Sequence, residues 1–288
     1  MVKKIINTIA TAHLDTVWNW TFEKTVSDYL LKTLKKNFHL FEKYPDYKFN
    51  FEGSYRYELI EEYYPEEFEK LKKYVALGRW NVCGSAFENG DVNIPSPEAL
   101  IRNFLYGNNY FEKTFAKRSS DIFLPDCFGF GWALPSVAAH CGLKGFTTQK
   151  LSWGSAYGVP FDIGKWYGPN GKYIYASLKP GAYFKGYKTF RKERAILEKL
   201  SENEKYGLNE TCVFHGVGDR GGSPMEYSVK TLEREIKRNT NSSIEVRSAA
   251  ADEIFGRLSF DEYKGVSDSL PEWKNELVLT DHGVGCYT

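Results

Sequence analysis

Buried-strand patterns alternate with helical patterns along almost the whole of this 288-residue chain, and this alternation constrains the fold most strongly. Strands are predicted over 5–12, 47–51, 79–83, 122–124, 146–148, 211–214, 244–247 and 276–280, with helical periodicity in most of the intervals. The stretch 150–190 is rich in Gly, Tyr and Lys and contains one further predicted strand, 173–178. Such alternation is typical of a mostly parallel sheet covered by helices. Seven or eight such units favour a closed β/α barrel over an open sheet.

The charge balance argues against two classes of partner. The net charge is +1, so the sequence gives no electrostatic indication of a nucleic-acid or anionic-membrane surface. The five cysteines are scattered, without a disulfide framework or a CxxC pair, and no apolar run approaches membrane length. The chain starts with a short strand pattern instead of a signal peptide. We therefore expect a cytoplasmic protein with neither a nucleic-acid nor a membrane partner.

Asp126 directly follows the apolar strand at 122–124 and precedes a loop rich in Gly and aromatic residues, 127–132. In parallel α/β sheets and barrels, the carboxyl ends of the strands form the active site. Asp126 is therefore a candidate active-site carboxylate. The alternative is that Asp126 is the N-cap of the next turn or helix, and residues 123–132 alone are equally compatible with that role.

His13 and Asp15 stand at the end of the first strand, where residues two apart point in the same direction. One imidazole and one carboxylate suit zinc when further oxygen ligands are added. A His held by its neighbour's carboxylate is the simpler alternative. Trp18 lies in the following loop, where its ring would either stack on a sugar face or pack a helix.

Two further strand ends carry candidate groups. Asp219 lies in a loop with four glycines, 216–222, which lacks the spacing of a nucleotide-binding motif. Alternatively, Asp219 is an aspartate that only stabilises a turn. His282 follows the last predicted strand and is a candidate second nitrogen ligand or an ordinary surface histidine. Two histidines and two aspartates could hold a metal while another carboxylate transfers protons, which indicates a metal-assisted hydrolase or transferase.

Six collinear blocks that contain these residues match one known family. They are 13–18 (HLDTVW), 78–96, 124–135, 148–153, 216–224, and 270–273 with 276–282. In these blocks the chain resembles the glycoside hydrolase family 38 α-mannosidases, most closely their cytosolic and bacterial branch. The resemblance covers nearly the whole chain.

The resemblance implies an α/β fold, a seven-stranded and mostly parallel β/α barrel that forms one catalytic domain over residues 1–288. It implies a retaining, zinc-dependent hydrolysis of terminal α-mannosides in mannose-containing oligosaccharides or glycosides. It is also compatible with a homo-oligomer. Asp126 would be the nucleophile and Asp219 the general acid/base. Zn²⁺ would be bound by His13, Asp15, Asp126 and His282. The substrate would be bound by Trp18, Glu88 and Asp91.

The C-terminal end departs from the family pattern. After His282 the sequence is GVGCYT, without the arginine that is usual there, and family members continue through helical and β-rich domains. We therefore expect a truncated or naturally short catalytic domain. Two alternatives to an active mannosidase are a degenerate zinc- and sugar-binding barrel and a metal-dependent deacetylase or other hydrolase on a similar barrel.

Overall fold

The structure, a computed structural model, describes residues 3–154, 158–260 and 263–279. The strands are β1 Lys4–Ala12, β2 Phe49–Glu52, β3 Trp80–Cys83, β4 Asp121–Phe123, β5 Gly145–Thr147, β6 Ile163–Tyr167, β7 Tyr173–Ser177, β8 Glu210–Val217, β9 Ile244–Ser248 and β10 Glu272–Trp273. The helices are α1 Phe22–Lys24, α2 Leu31–Lys43, α3 Ser54–Tyr63, α4 Pro65–Ala76, α5 Pro97–Phe115, α6 Leu134–His140, α7 Arg194–Glu204, α8 Glu226–Ile236, α9 Glu253–Leu258 and α10 Lys264–Ser269. A π-helix, Thr25–Leu30, joins α1 to α2.

Two five-stranded sheets form the centre of the molecule. In the first, the order is β3-β2-β1-β8, and β9 also pairs with β1. In the second, the order is β10-β6-β7-β5-β4. All neighbouring pairs are parallel except β6 with β7. The prediction of an α/β fold with mostly parallel strands is therefore confirmed.

Among the described residues, the two sheets approach each other through hydrogen bonds that do not form a ladder. The Gly84 amide, just after β3, donates to Asp121 Oδ1 on β4 at 3.0 Å. The Phe214 amide on β8 donates to the Pro180 carbonyl, after β7, at 2.8 Å. Within the described residues the ladders do not close, so the predicted seven-stranded barrel is not confirmed by the strand pairing.

The core explains why the strand signals are continuous apolar runs. Ile6, Ile9 and Ala10 on β1 are at most 1% exposed, because helices and neighbouring strands cover both faces of a parallel sheet. Phe38 and Phe41 on α2 lie against Trp80 of β3, with ring centroids 6.2 and 6.3 Å away. Each buried aromatic side chain of this kind contributes roughly 1.5–3 kcal/mol. The amphipathic face of α2 is thereby fixed to the first sheet.

Two strand predictions need correction. The stretch 150–190 contains two strands instead of one, since β6 pairs with β7 in antiparallel orientation. Within the described residues, the last strand lies earlier than predicted: β10 pairs with β6, and Leu277 makes only an isolated bridge to Phe130. Thr280 lies outside the described residues. Among the helices that the structure describes, none has the length and apolarity needed to cross a membrane.

Candidate active site

The ends of β1 and β4 bring three of the predicted metal ligands together. One ligand atom from each of His13, Asp15 and Asp126 lies within 4.8 Å of the other two. These residues line a pocket of about 300 Å³ whose wall also includes Asp91 and Pro125. The convergence follows from the parallel arrangement, because both strands end at the same edge of the fold.

The ring of His13 is held on both sides by carboxylates. Its Nδ1 lies 2.8 Å from Glu52 Oε1, and its Nε2 lies 3.2 Å from Asp15 Oδ1 and 3.9 Å from Asp126 Oδ2. Burial lowers the pKa of His13, but its hydrogen bonds to Asp15 and Glu52 and the charges of both outweigh burial and raise the pKa to about 10. A cation between Nε2 and the two aspartates would compete with the proton for the same lone pair.

This donor set suits a zinc-like metal ion. An imidazole nitrogen with two carboxylate oxygens is the combination that binds a borderline-hard divalent cation. Glu52, which has no exposed surface, orients the imidazole from the opposite side, as outer-shell carboxylates do in metal sites. The residues therefore fit a metal. His282, the predicted fourth ligand, lies outside the described residues.

Asp126 is contacted from a second direction by a buried cation and a phenol. The ammonium of Lys150 forms an ion pair with Asp126 Oδ1, and the Tyr183 hydroxyl lies 3.2 Å from the same oxygen. The other oxygen, Oδ2, faces His13. The two carboxylate oxygens therefore lie in different surroundings.

The hydroxyl of Tyr183 also contacts Asp219, at 3.1 Å from Oδ1. One phenol oxygen that touches both carboxylates places their nearer oxygens no more than about 6.3 Å apart, while retaining glycosidases use about 5–5.5 Å and inverting ones about 6.5–9.5 Å. Burial and the charges of Asp126 and Asp219 raise the pKa of Tyr183 well above its usual range. The phenol is therefore protonated and donates its single proton to one carboxylate at a time.

The loop that carries Asp219 is joined to the end of β1 through the backbone. The amides of His13 and Asp15 donate to the carbonyls of Val217 and Asp219, and the Gly221 amide donates to the His13 carbonyl. Asp219 itself has a φ of 60°, in the left-handed region that Asp tolerates better than most residues. At Gly218 an added Cβ would lie 2.0 Å from a ring carbon of Tyr183. The glycine thus allows the phenol to pack beside Asp219.

The three predicted substrate-binding residues lie in different surroundings. Trp18 is 58% exposed, so its ring is accessible to solvent and to a ligand. Asp91 lines the pocket, and its Oδ1 accepts from the amides of Asn93 and Ile94. Glu88 accepts from Arg56 Nη1 at 2.9 Å and from Thr16, which stabilises the loops around the pocket.

Sequence reasoning assigned no role to Glu52, Lys150 or Tyr183. Glu52 ends a short apolar strand and belongs to no motif. Lys150 lies inside a matching block, 148–153, which was the one available signal for it. Tyr183 is one of 20 tyrosines, in a stretch without clear periodicity, and gave no signal.

The comparisons with known proteins agree with this architecture. Two carboxylates close together, here at the strand ends of an α/β fold, are the arrangement that most glycoside hydrolases use. The sequence over residues 3–276 matches the glycosyl hydrolases family 38 N-terminal domain, so the chain belongs to this family.

Curated relatives carry α-mannosidase names. The chain is 31% identical to alpha-mannosidase G of Dictyostelium discoideum and 30% identical to alpha-mannosidase 2C1 of Homo sapiens, in each case over 96% of its own length. It spans about a quarter of the length of these relatives, 24% and 26% respectively. The crystal structure of an alpha-mannosidase from Enterococcus faecalis V583 superposes with a TM-score of 0.71 at 21% identity, covering 96% of this chain and 31% of that one. This likeness shows the shared fold.

Proposed function

We propose that the chain is the catalytic part of a zinc-dependent, retaining glycoside hydrolase that removes terminal α-mannosyl groups from mannose-containing oligosaccharides or glycosides. The observation that carries the proposal is the contact of one hydroxyl, that of Tyr183, with both Asp126 and Asp219. It supports a carboxylate separation suited to a covalent intermediate. The α-mannosidase names of the relatives support the choice of sugar.

In this proposal His13, Asp15 and Asp126 hold the metal, with His282 as the predicted fourth ligand. When bound, zinc would supply positive charge to adjacent sugar hydroxyls and help to orient the ring. Asp91 in the pocket wall, Glu88 beside it and the exposed ring of Trp18 are proposed to contact the sugar. We also propose that the described sheets belong to a seven-stranded barrel, supported by the hydrogen bonds from Gly84 to Asp121 and from Phe214 to Pro180.

The first chemical step would use both carboxylates. Asp219 donates a proton to the glycosidic oxygen while Asp126 attacks the anomeric carbon, so the bond to the leaving group breaks and a mannosyl ester forms. In the second step, Asp219 removes a proton from water. The water oxygen attacks the anomeric carbon, and the electron pair of the ester bond returns to Asp126. Two inversions give net retention.

The test is the release of an aryl alcohol from an aryl α-mannoside by the purified chain. We expect activity that a chelator abolishes and that zinc restores, with the α-anomer of mannose as the first product by proton NMR. Asp126→Asn and Asp219→Asn should each lower the rate at least about 100-fold, whereas the exposed Asp46→Asn should not. Zinc binding without release would support the degenerate barrel, and release of acetate from an acetylated sugar would support the deacetylase.

A further inference from the structure

Lys150 is a charged side chain with no exposed surface. It begins the 3₁₀-helix Lys150–Trp153 that follows β5. Its amide donates to Thr148 Oγ1 at 3.1 Å, and the neighbouring Gln149 side chain donates to the Pro125 carbonyl at 3.0 Å. The segment that carries the ammonium is therefore fixed to the chain immediately before Asp126.

The ammonium has two kinds of neighbour. It forms an ion pair with Asp126 Oδ1. It also lies 3.9 Å from the ring centroid of Phe128 and 3.4 Å from that of Trp153, which are cation–π distances. The aromatic faces keep a cation favourable at this position even when the charge of Asp126 is withdrawn.

We propose that Lys150 acts mainly on the second half of the reaction, as a positioning residue that stabilises Asp126 as the leaving carboxylate when the mannosyl ester is hydrolysed. The inference rests on the proposed function. In that step, the bond between the anomeric carbon and Asp126 breaks and its electron pair develops into a carboxylate charge. A buried cation at Oδ1 stabilises this charge as it forms, because a desolvated ion pair is much stronger than one in water.

The same ion pair has the opposite effect on the first step. There the free carboxylate is the attacking group, and a cation bound to it must lose part of its interaction as the ester forms. Removal of the positive charge should therefore favour the ester over the free enzyme. The described contacts predict a shift in the balance between the two steps, in addition to any general loss of activity.

The experiment compares Lys150→Met, which keeps an unbranched chain without charge, with Lys150→Arg, which keeps the charge. The ratio of the first-turnover rate constant to the steady-state kcat is measured with an aryl α-mannoside by rapid mixing. In Lys150→Met we expect this ratio to rise about 10- to 100-fold. The acid-quenched protein should then carry one mannosyl group on the peptide that contains Asp126. Lys150→Arg should restore the ratio at least in part.

A merely structural role would give a different result. If Lys150→Met slows the first turnover and the steady state equally and no mannosyl-protein accumulates, the proposed role of Lys150 is wrong while the proposed function stands. If the wild-type chain releases no aryl alcohol, the proposed function and the role of Lys150 both fail. Unfolding temperature and zinc content of each variant are measured alongside, and we expect both to remain near wild type in Lys150→Arg.

Discussion

Replacement of Glu52 by Gln should weaken metal binding without removing a single proposed ligand. Glu52 Oε1 lies 2.8 Å from Nδ1 of His13, the nitrogen that faces away from Asp15 and Asp126. Nδ1–H donates to this carboxylate, which fixes the ring and leaves Nε2 available to a cation. A glutamine oxygen can still accept from Nδ1–H, but the negative charge behind the imidazole is lost.

The magnitude follows from the change in that one hydrogen bond. A charge-assisted hydrogen bond is about twice as strong as a neutral one, so the substitution removes about 1–1.5 kcal/mol from the interaction that supports the ligand. This corresponds to a loss of roughly tenfold in zinc affinity, at the lower end of the 10- to 100-fold found for outer-shell partners. Glu52→Ala, which also removes the acceptor, should approach about 100-fold.

The assay is a competition for zinc between the protein and a chromophoric chelator at several pH values, so that proton binding at His13 is separated from the zinc affinity. Glu98→Gln is the matched control, because Glu98 is exposed on α5 and pairs with Arg102. Its affinity should equal that of the wild type. Unchanged zinc affinity in Glu52→Gln, with an unfolding temperature near wild type, would refute the role given to Glu52.

Two further predictions concern other buried groups. Tyr183→Phe removes one hydrogen bond to a charged carboxylate, about 1.5–3 kcal/mol, and should lower kcat/KM for an aryl α-mannoside by about 10- to 150-fold. An unaltered kcat/KM would contradict the shared contact. His215 is fully buried, and burial lowers its pKa to about 3. Between about pH 3 and pH 6.5, the unfolded chain therefore binds more protons at this residue than the folded protein does. The free energy of unfolding should therefore fall as pH decreases through this window, by up to about 1.4 kcal/mol per pH unit. In His215→Leu, the free energy of unfolding measured with denaturant should depend less steeply on pH. Equal slopes in the variant and the wild type would contradict the role given to His215.

The strand ends of the site could be predicted from the sequence because their signal is local. An apolar run followed at once by His13 and Asp15, or by Asp126, indicates both the strand and the edge at which its polar residues emerge. Parallel pairing then brings separate strand ends together without further information. The cluster of His13, Asp15 and Asp126 is the structural outcome of that pattern.

The remaining features depend on contacts between distant parts of the chain. Strand β6 contains Gly164 and Lys165, which look like loop residues in sequence. An added Cβ at Gly164 would lie 2.7 Å from the Pro271 carbonyl, so a residue before β10, more than a hundred positions away, explains the glycine. Tyr183 is likewise defined by the two carboxylates that it contacts. Neither contact produces a periodic pattern in the sequence from which it could be predicted.

The backbone hydrogen bonds between the end of β1 and the loop of Asp219 restrict how this site can be redesigned. The carbonyls of Val217 and Asp219 and the amide of Gly221 form hydrogen bonds with the backbone of His13 and Asp15. One inserted or deleted residue would therefore shift every following hydrogen-bond partner. Asp219 would then leave Tyr183 even if all side chains were retained. The length of the loop is therefore constrained, and so are Asp219, the proposed acid, and Gly218, where an added Cβ would meet the ring of Tyr183. New substrate preferences are therefore better sought by grafting longer segments around Trp18 or Asp91 than by remodelling the loop that carries the proposed acid.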